Sequence, residues 1–188
     1  MKHLLALSLS GLLALSAVVV QDEAPEEPPV RSRVETTRAG ERILVHEVTI
    51  HAPVAEVWKA HTTEEGWTAW SSPLAKIDLR VGGTILTHYD KNAKIGDPGT
   101  NTLHIVNYVP ERVLTLRADV SQNWPEVMKE DADKMSNVIL FEPIDDDTTR
   151  LVSYGIGYRD TPEYDDLMDF FIEANGRLYA GLIQRLEK

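Results

Sequence analysis

The stretch TPEYDDLMDFFIEANGRLYAGLIQRLEK, residues 161–188, decides the architecture. Leu167, Phe170, Phe171, Ala174, Leu178, Leu182 and Leu186 recur at steps of three and four, which gathers a strongly apolar stripe on one face of a helix. Thr161 stands where an N-cap is wanted, and Pro162 occupies the first helical position, where a missing N–H costs nothing. Glu163, Asp165, Asp166 and Asp169 fall in the first turns, where negative charge favours the helix dipole. The spacing predicts one helix of about 25 residues, roughly 37 Å long at 1.5 Å per residue. Such a helix needs a broad apolar surface to lie on.

Working outward, the chain supplies that surface as strands. RILVHEVTIHA, residues 42–52, alternates with period two and is rich in β-branched residues. Pro53 then ends the strand and opens a helix, VAEVWKAHT, with Val54, Val57, Trp58 and His61 at helical spacing. A second short helix, EEGWTAW, carries Trp67 and Trp70. From residue 75 onward short apolar runs are separated by turn signals: AKIDLRV, TILTHYD, LHIVNYV and VLTLRADV, then NVILFEPI and TRLVSYGIGYRD around the turn Asp145, Asp146 and Asp147. Gly82 and Gly83 permit a bulge or bend where the sheet curls. The expected class is α+β: a curved antiparallel sheet of about six to seven strands wrapped around the long C-terminal helix, with two short helices after the first strand.

The flanking sequence divides the chain. Residues 1–21 read as a signal peptide, with Lys2 and His3 ahead of an apolar run too short for a comfortable membrane span. Residues 22–40 read as a disordered acidic, proline-rich linker, because they hold almost no large apolar side chain. Residues 41–188 form the domain, and 188 residues suit a single core. Export to the periplasm or beyond is the expected localisation, without stable membrane insertion once the signal is cleaved. A formal charge of −11 makes nucleic acid a poor partner. The absence of cysteine excludes disulfides, thiolate metal sites and a cysteine nucleophile.

TIHAPVAEVWKAHTTEEGWTAW at 49–70, IDLRVGGTI at 77–85, YVPERVLTL at 108–116 and TTRLVSYGIGY at 148–158, followed by the amphipathic helix, resemble the SRPBCC (START-like, helix-grip) superfamily. Within it the likeness is greatest to the AHSA1-like group, related to the C-terminal domain of the Hsp90 ATPase activator. It spans about residues 42–186. The resemblance implies a helix-grip fold with a cavity between sheet and helix, in a family that runs from lipid carriers to polyketide cyclases and co-chaperones. Where relatives often carry bulkier residues this chain has Ser153 and Gly155, which would widen the pocket on that wall.

The cavity residues expected on this basis are Trp70, Tyr89, His104, Trp124, Met128, Ser153, Gly155, Met168 and Phe171. Trp124, Met128 and Met135 lie in an irregular insertion, QNWPEVMKEDADKMS, that reads either as a flap over the mouth or as an anchored surface loop. Among the histidines, His88 and His104 lie on strands near the expected cavity; alternation puts His88 with Leu86 on one face and Ile85, Thr87 and Tyr89 on the other, and the resemblance implies that the second set faces inward, which leaves His88 a surface or structural role. No metal site and no cofactor is expected: H-E-x-x-H, G-x-S-x-G, P-loop and dinucleotide patterns are all missing. The first functional reading is an exported protein that binds an apolar small molecule or lipid. Its alternatives are a cyclase- or hydrolase-type enzyme using Tyr89, His104 and Arg117, and a co-chaperone-like interaction module, which export disfavours.

Overall fold

The alternation in RILVHEVTI forms strand β2 (Arg42–Ile50) in the computed structural model, which describes residues 28–120 and 124–187. Leu44, His46, Val48 and Ile50 bury one side of it. Preceding it is β1 (Val30–Thr36), and following it are helices α1 (Val54–Thr62) and α2 (Glu64–Thr68). Strands β3 (Leu74–Ile77), β4 (Thr84–His88), β5 (Asn101–Val109) and β6 (Val113–Ala118) come next. Short helix α3 (Glu126–Glu130), the hairpin β7 (Ser136–Pro143) and β8 (Thr149–Tyr158), and the long α4 (Pro162–Leu186) complete the chain.

All eight strands join one antiparallel sheet in the order β1-β2-β8-β7-β6-β5-β4-β3. The α+β helix-grip architecture is therefore as expected, with one strand more. The addition is β1, which lies inside the stretch read as a linker. Its own side chains bury little, so nothing in composition marks it. Order comes instead from backbone pairing with β2, from Arg31 and Arg33 on Glu47 at 3.2 Å each, and from Ser32 on His46 at 2.8 Å. The signal peptide at 1–21 and the linker's first residues, 22–27, lie outside the described residues. No helix among the described residues is long and apolar enough to cross a membrane.

Helix α4 buries Tyr164, Leu167, Met168, Tyr179 and Leu182. Phe170, expected on that face, is 59% exposed at its margin, with its ring against Phe171 at 5.4 Å. Thr161 does take the N-cap position in extended conformation, but its side chain makes no capping bond to a helix N–H. The backbone N–H of the first turn, with the Thr161 hydroxyl adding to it, holds the Glu163 carboxyl below the usual range.

Two apolar clusters fill the interior. One joins α1, α2 and the sheet centre, including Val57, Trp67, Ile85, Ile139, Phe141, Tyr179 and Leu182; the other holds Leu44, Met128, Met135, Tyr158, Tyr164, Leu167 and Met168. Each large apolar side chain fully buried here contributes roughly 1.5–3 kcal/mol. Gly157 lets the second cluster close. It has φ of +92°, and a Cβ there would lie 2.3 Å from the Lys134 carbonyl oxygen, so the chain leading into β7 crosses over β8 only because a side chain is absent.

Candidate functional site

Strand alternation and helix rotation bring side chains together at the seam between the two clusters, around a cavity of about 230 Å³. β2 delivers Leu44 and His46, β7 delivers Asn137 and Ile139, and β8 delivers Ser153 and Gly155. From α1 and α2 come His61 and Trp67, and from α4 Phe171, Asn175, Leu178 and Tyr179. No Asp, Glu, Lys or Arg lines the space among the described residues. The wall is apolar with a few neutral polar groups, the character of a small-molecule site.

Along one side runs a row of rings. His61 lies 4.9 Å from Trp70, Trp70 stacks within 16° of Tyr179 at 6.2 Å, and Tyr179 lies 5.7 Å from His46. Hydrogen bonds decide the protonation of both imidazoles. His61 Nδ1–H donates to the Val57 carbonyl at 2.8 Å, one helical turn back. Asn175 donates its amide to His46 Nε2 at 3.3 Å, so His46 carries its hydrogen on Nδ1 and donates it to Ser32 Oγ at 2.8 Å. Burial pushes each pKa down to about 4, because a charged ring would lose its hydration with no carboxylate to replace it. Both are neutral at pH 7. Burial likewise pushes the Tyr179 phenol up to about 12, with the nearby Ser153 opposing it in part, and the Ser153 hydroxyl donates to Asn137 Oδ1 at 2.8 Å.

Seven of the nine expected residues line this cavity: Trp70, Tyr89, Trp124, Met128, Ser153, Gly155 and Phe171. Tyr89, just past β4, sits at the mouth with 63% of its surface exposed. His104 does not belong. On β5 the inward positions are Leu103 and Ile105, so His104 points to the far side of the sheet, its side chain 42% exposed and 4.0 Å from the Asp119 carboxylate. Arg117, its cross-strand neighbour, is exposed as well, which removes two of the three candidates for catalysis. Met168 is also corrected: it is fully buried in the second cluster rather than at the cavity wall. Gly155 does not widen the pocket as expected, since a Cβ there would meet the Tyr158 ring at 3.0 Å and that ring takes the room. His88 has the structural role expected of it. Its Nδ1 accepts from the Asp90 N–H at 3.0 Å and its Nε2 donates to the Pro98 carbonyl at 3.2 Å, pinning the loop after β4.

The described part of the insertion covers one end of the cavity with Trp124, Met128 and Met135. Trp124 packs its ring 6.3 Å from that of Phe171. Asp131 anchors the segment from below. It accepts from Lys134 Nζ at 2.8 Å, Tyr164 Oη at 2.7 Å and Arg159 Nε at 2.6 Å, and these donors hold its carboxyl below the usual range.

His46, His61, Asn137, Asn175 and Tyr179 escaped the sequence reading as site residues. A signal existed for the histidines: His46 shares the parity of Leu44, Val48 and Ile50, and His61 the helical spacing of Val54 and Val57.

The family model of activator of Hsp90 ATPase homolog 1-like proteins matches residues 51–187. Among solved structures, the Aha1 dimer from Colwellia psychrerythraea is 17% identical with a TM-score of 0.60, covering 77% of this chain and 96% of that one. Protein MLL2253 from Mesorhizobium loti is 18% identical with a TM-score of 0.61, covering 78% and 97%. Protein NE0264 from Nitrosomonas europaea is 21% identical with a TM-score of 0.58, covering 77% and 94%. At these identities the likeness establishes the fold. No curated protein matches the chain.

Proposed function

The chain belongs to the family of activator of Hsp90 ATPase homolog 1-like proteins, within the SRPBCC superfamily, and from that premise we propose that it is an exported binding protein for an uncharged, largely apolar small molecule or lipid. The observation that carries this reading is the cavity between sheet and α4, about 230 Å³ with no charged side chain on its wall and with both of its histidines neutral. A charged ligand would lose its hydration there without a counter-ion. The Trp124, Met128 and Met135 cover suits a loosely specified apolar guest, since methionine adapts its shape. Export rests on residues 1–21 as a signal peptide.

Native mass spectrometry of the protein purified from its own compartment tests the reading. A co-purifying neutral species is expected. Ligand-free protein, together with an experimental map in which side chains fill the cavity, would overturn it. Fusing residues 1–30 to a reporter tests export separately. Retention in the cytosol would favour the second reading, a co-chaperone-like role, for which the family's description is the support.

A further inference from the structure

His61 and Trp67 both line the cavity, and each carries a buried ring nitrogen with no hydrogen-bond partner. The two are chemical opposites. With its Nδ1–H given to Val57, His61 presents a bare lone pair at Nε2 and can only accept there. Trp67 Nε1 carries a hydrogen and can only donate. The neighbouring polar groups are satisfied: Trp70 Nε1 donates to the Ala60 carbonyl at 2.9 Å, Ser153 to Asn137, and His46 is held between Ser32 and Asn175. Buried polar groups in folded proteins are nearly always paired, so an orphaned donor beside an orphaned acceptor marks a place for something else. The two rings are 6.4 Å apart between centroids and nearly perpendicular, at 89°.

We propose that His61 and Trp67 form the recognition subsite for an uncharged hydroxyl, an alcohol or phenol, on the apolar ligand. The hydroxyl hydrogen goes to His61 Nε2 while its oxygen accepts from Trp67 Nε1–H. A hydroxyl does both at one atom. A carboxylate could only accept and would face the imidazole lone pair, an ammonium could only donate, and a ketone would leave the imidazole bare. Both nitrogens are buried on residues that line the cavity, so the hydroxyl reaches them when the rings turn toward it. Trp70, 4.9 Å from the imidazole, supplies an aromatic wall for the ligand's apolar body. This assignment rests on the binding-protein reading and specifies its ligand.

The test compares 2-naphthol with naphthalene, which differ by the hydroxyl alone, in equilibrium dialysis against the full-length protein. Hydrophobicity by itself favours naphthalene. The subsite should reverse that order and hold 2-naphthol at least about tenfold more tightly. Trp67→Phe and His61→Leu should each bring the ratio of 2-naphthol to naphthalene affinity below one. Should either variant fail to fold, nitrogen-15 NMR of the unsubstituted protein serves instead: 2-naphthol should shift the His61 Nε2 and Trp67 indole signals, and naphthalene should not. Naphthalene bound as tightly as 2-naphthol would overturn the subsite and leave the binding protein standing, whereas retention of neither compound would overturn both. A direct hydrogen-bond coupling between Trp67 and His61 in the free protein would also overturn the subsite, because the two nitrogens would then be each other's partners.

Discussion

Asn175 on α4 donates its amide to Nε2 of His46 on β2 at 3.3 Å, so one neutral imidazole ties the long helix to the sheet. Its other nitrogen holds Ser32 of the edge strand. A proton added to Nε2 would break the link to Asn175 and bury a charge. His46 and His61 both have folded-state pKa values near 4, below the ordinary 6.5 of the unfolded chain. The unfolded chain therefore binds more protons as pH falls below 6.5. Stability is full above that pH and declines as it approaches 4, by roughly 3 kcal/mol for each histidine. Urea unfolding at pH 7, 5 and 4 measures the slope, and His46→Gln should remove about half of the histidine share. Lowered carboxylates such as Asp131 add to the slope in the same sense, so the comparison with the variant isolates the imidazole. An unchanged slope in His46→Gln would refute the assignment.

Tyr164 has no exposed surface, and its hydroxyl donates to Asp131, with the Val127 carbonyl also within 3.2 Å. Tyr164→Phe keeps the ring and deletes that tie. We expect a loss of about 1–2 kcal/mol and faster amide exchange confined to residues 124–135. Exchange rising equally across β2 and β8 would mean that the tyrosine supports the whole core and not the cavity cover.

Leu182 and Phe170 were read as equals on one helix face. Leu182 has no exposed surface, while Phe170 is 59% exposed. Leu182→Ala should cost about 2–5 kcal/mol and Phe170→Ala less than about 0.5 kcal/mol, measured by chemical denaturation. Similar losses for both would place the helix in a different rotation.

The sheet, the two short helices and α4 were legible because their signals are local: period-two alternation, Pro53 at a helix start, and an apolar recurrence of three and four. β1 was not, because VRSRVET gains its order from a partner's backbone and from Glu47 rather than from its own burial. Seven of the nine residues expected at the cavity do line it, the strand positions by parity and the rest through the family resemblance. His104 failed by the same parity rule, since Leu103 and Ile105 on either side of it already claimed the inward face. Gly155 misled for another reason. An absent side chain says where space could be, and only the three-dimensional arrangement reveals that Tyr158, three residues on, has moved into it.

The pairing of β2 with β8 also sets the order in which this molecule can assemble. Glu47 and Arg150, bonded across that pair at 2.9 Å, stand 103 positions apart in the chain. On a ribosome β2 emerges long before the strand it needs, with five other strands made in between. Closing so long a loop is entropically expensive and slow. Until β8 has been made, the apolar side of β2 has no sheet partner there, and this pair of the sheet can form only after the strands between them in the chain have been made.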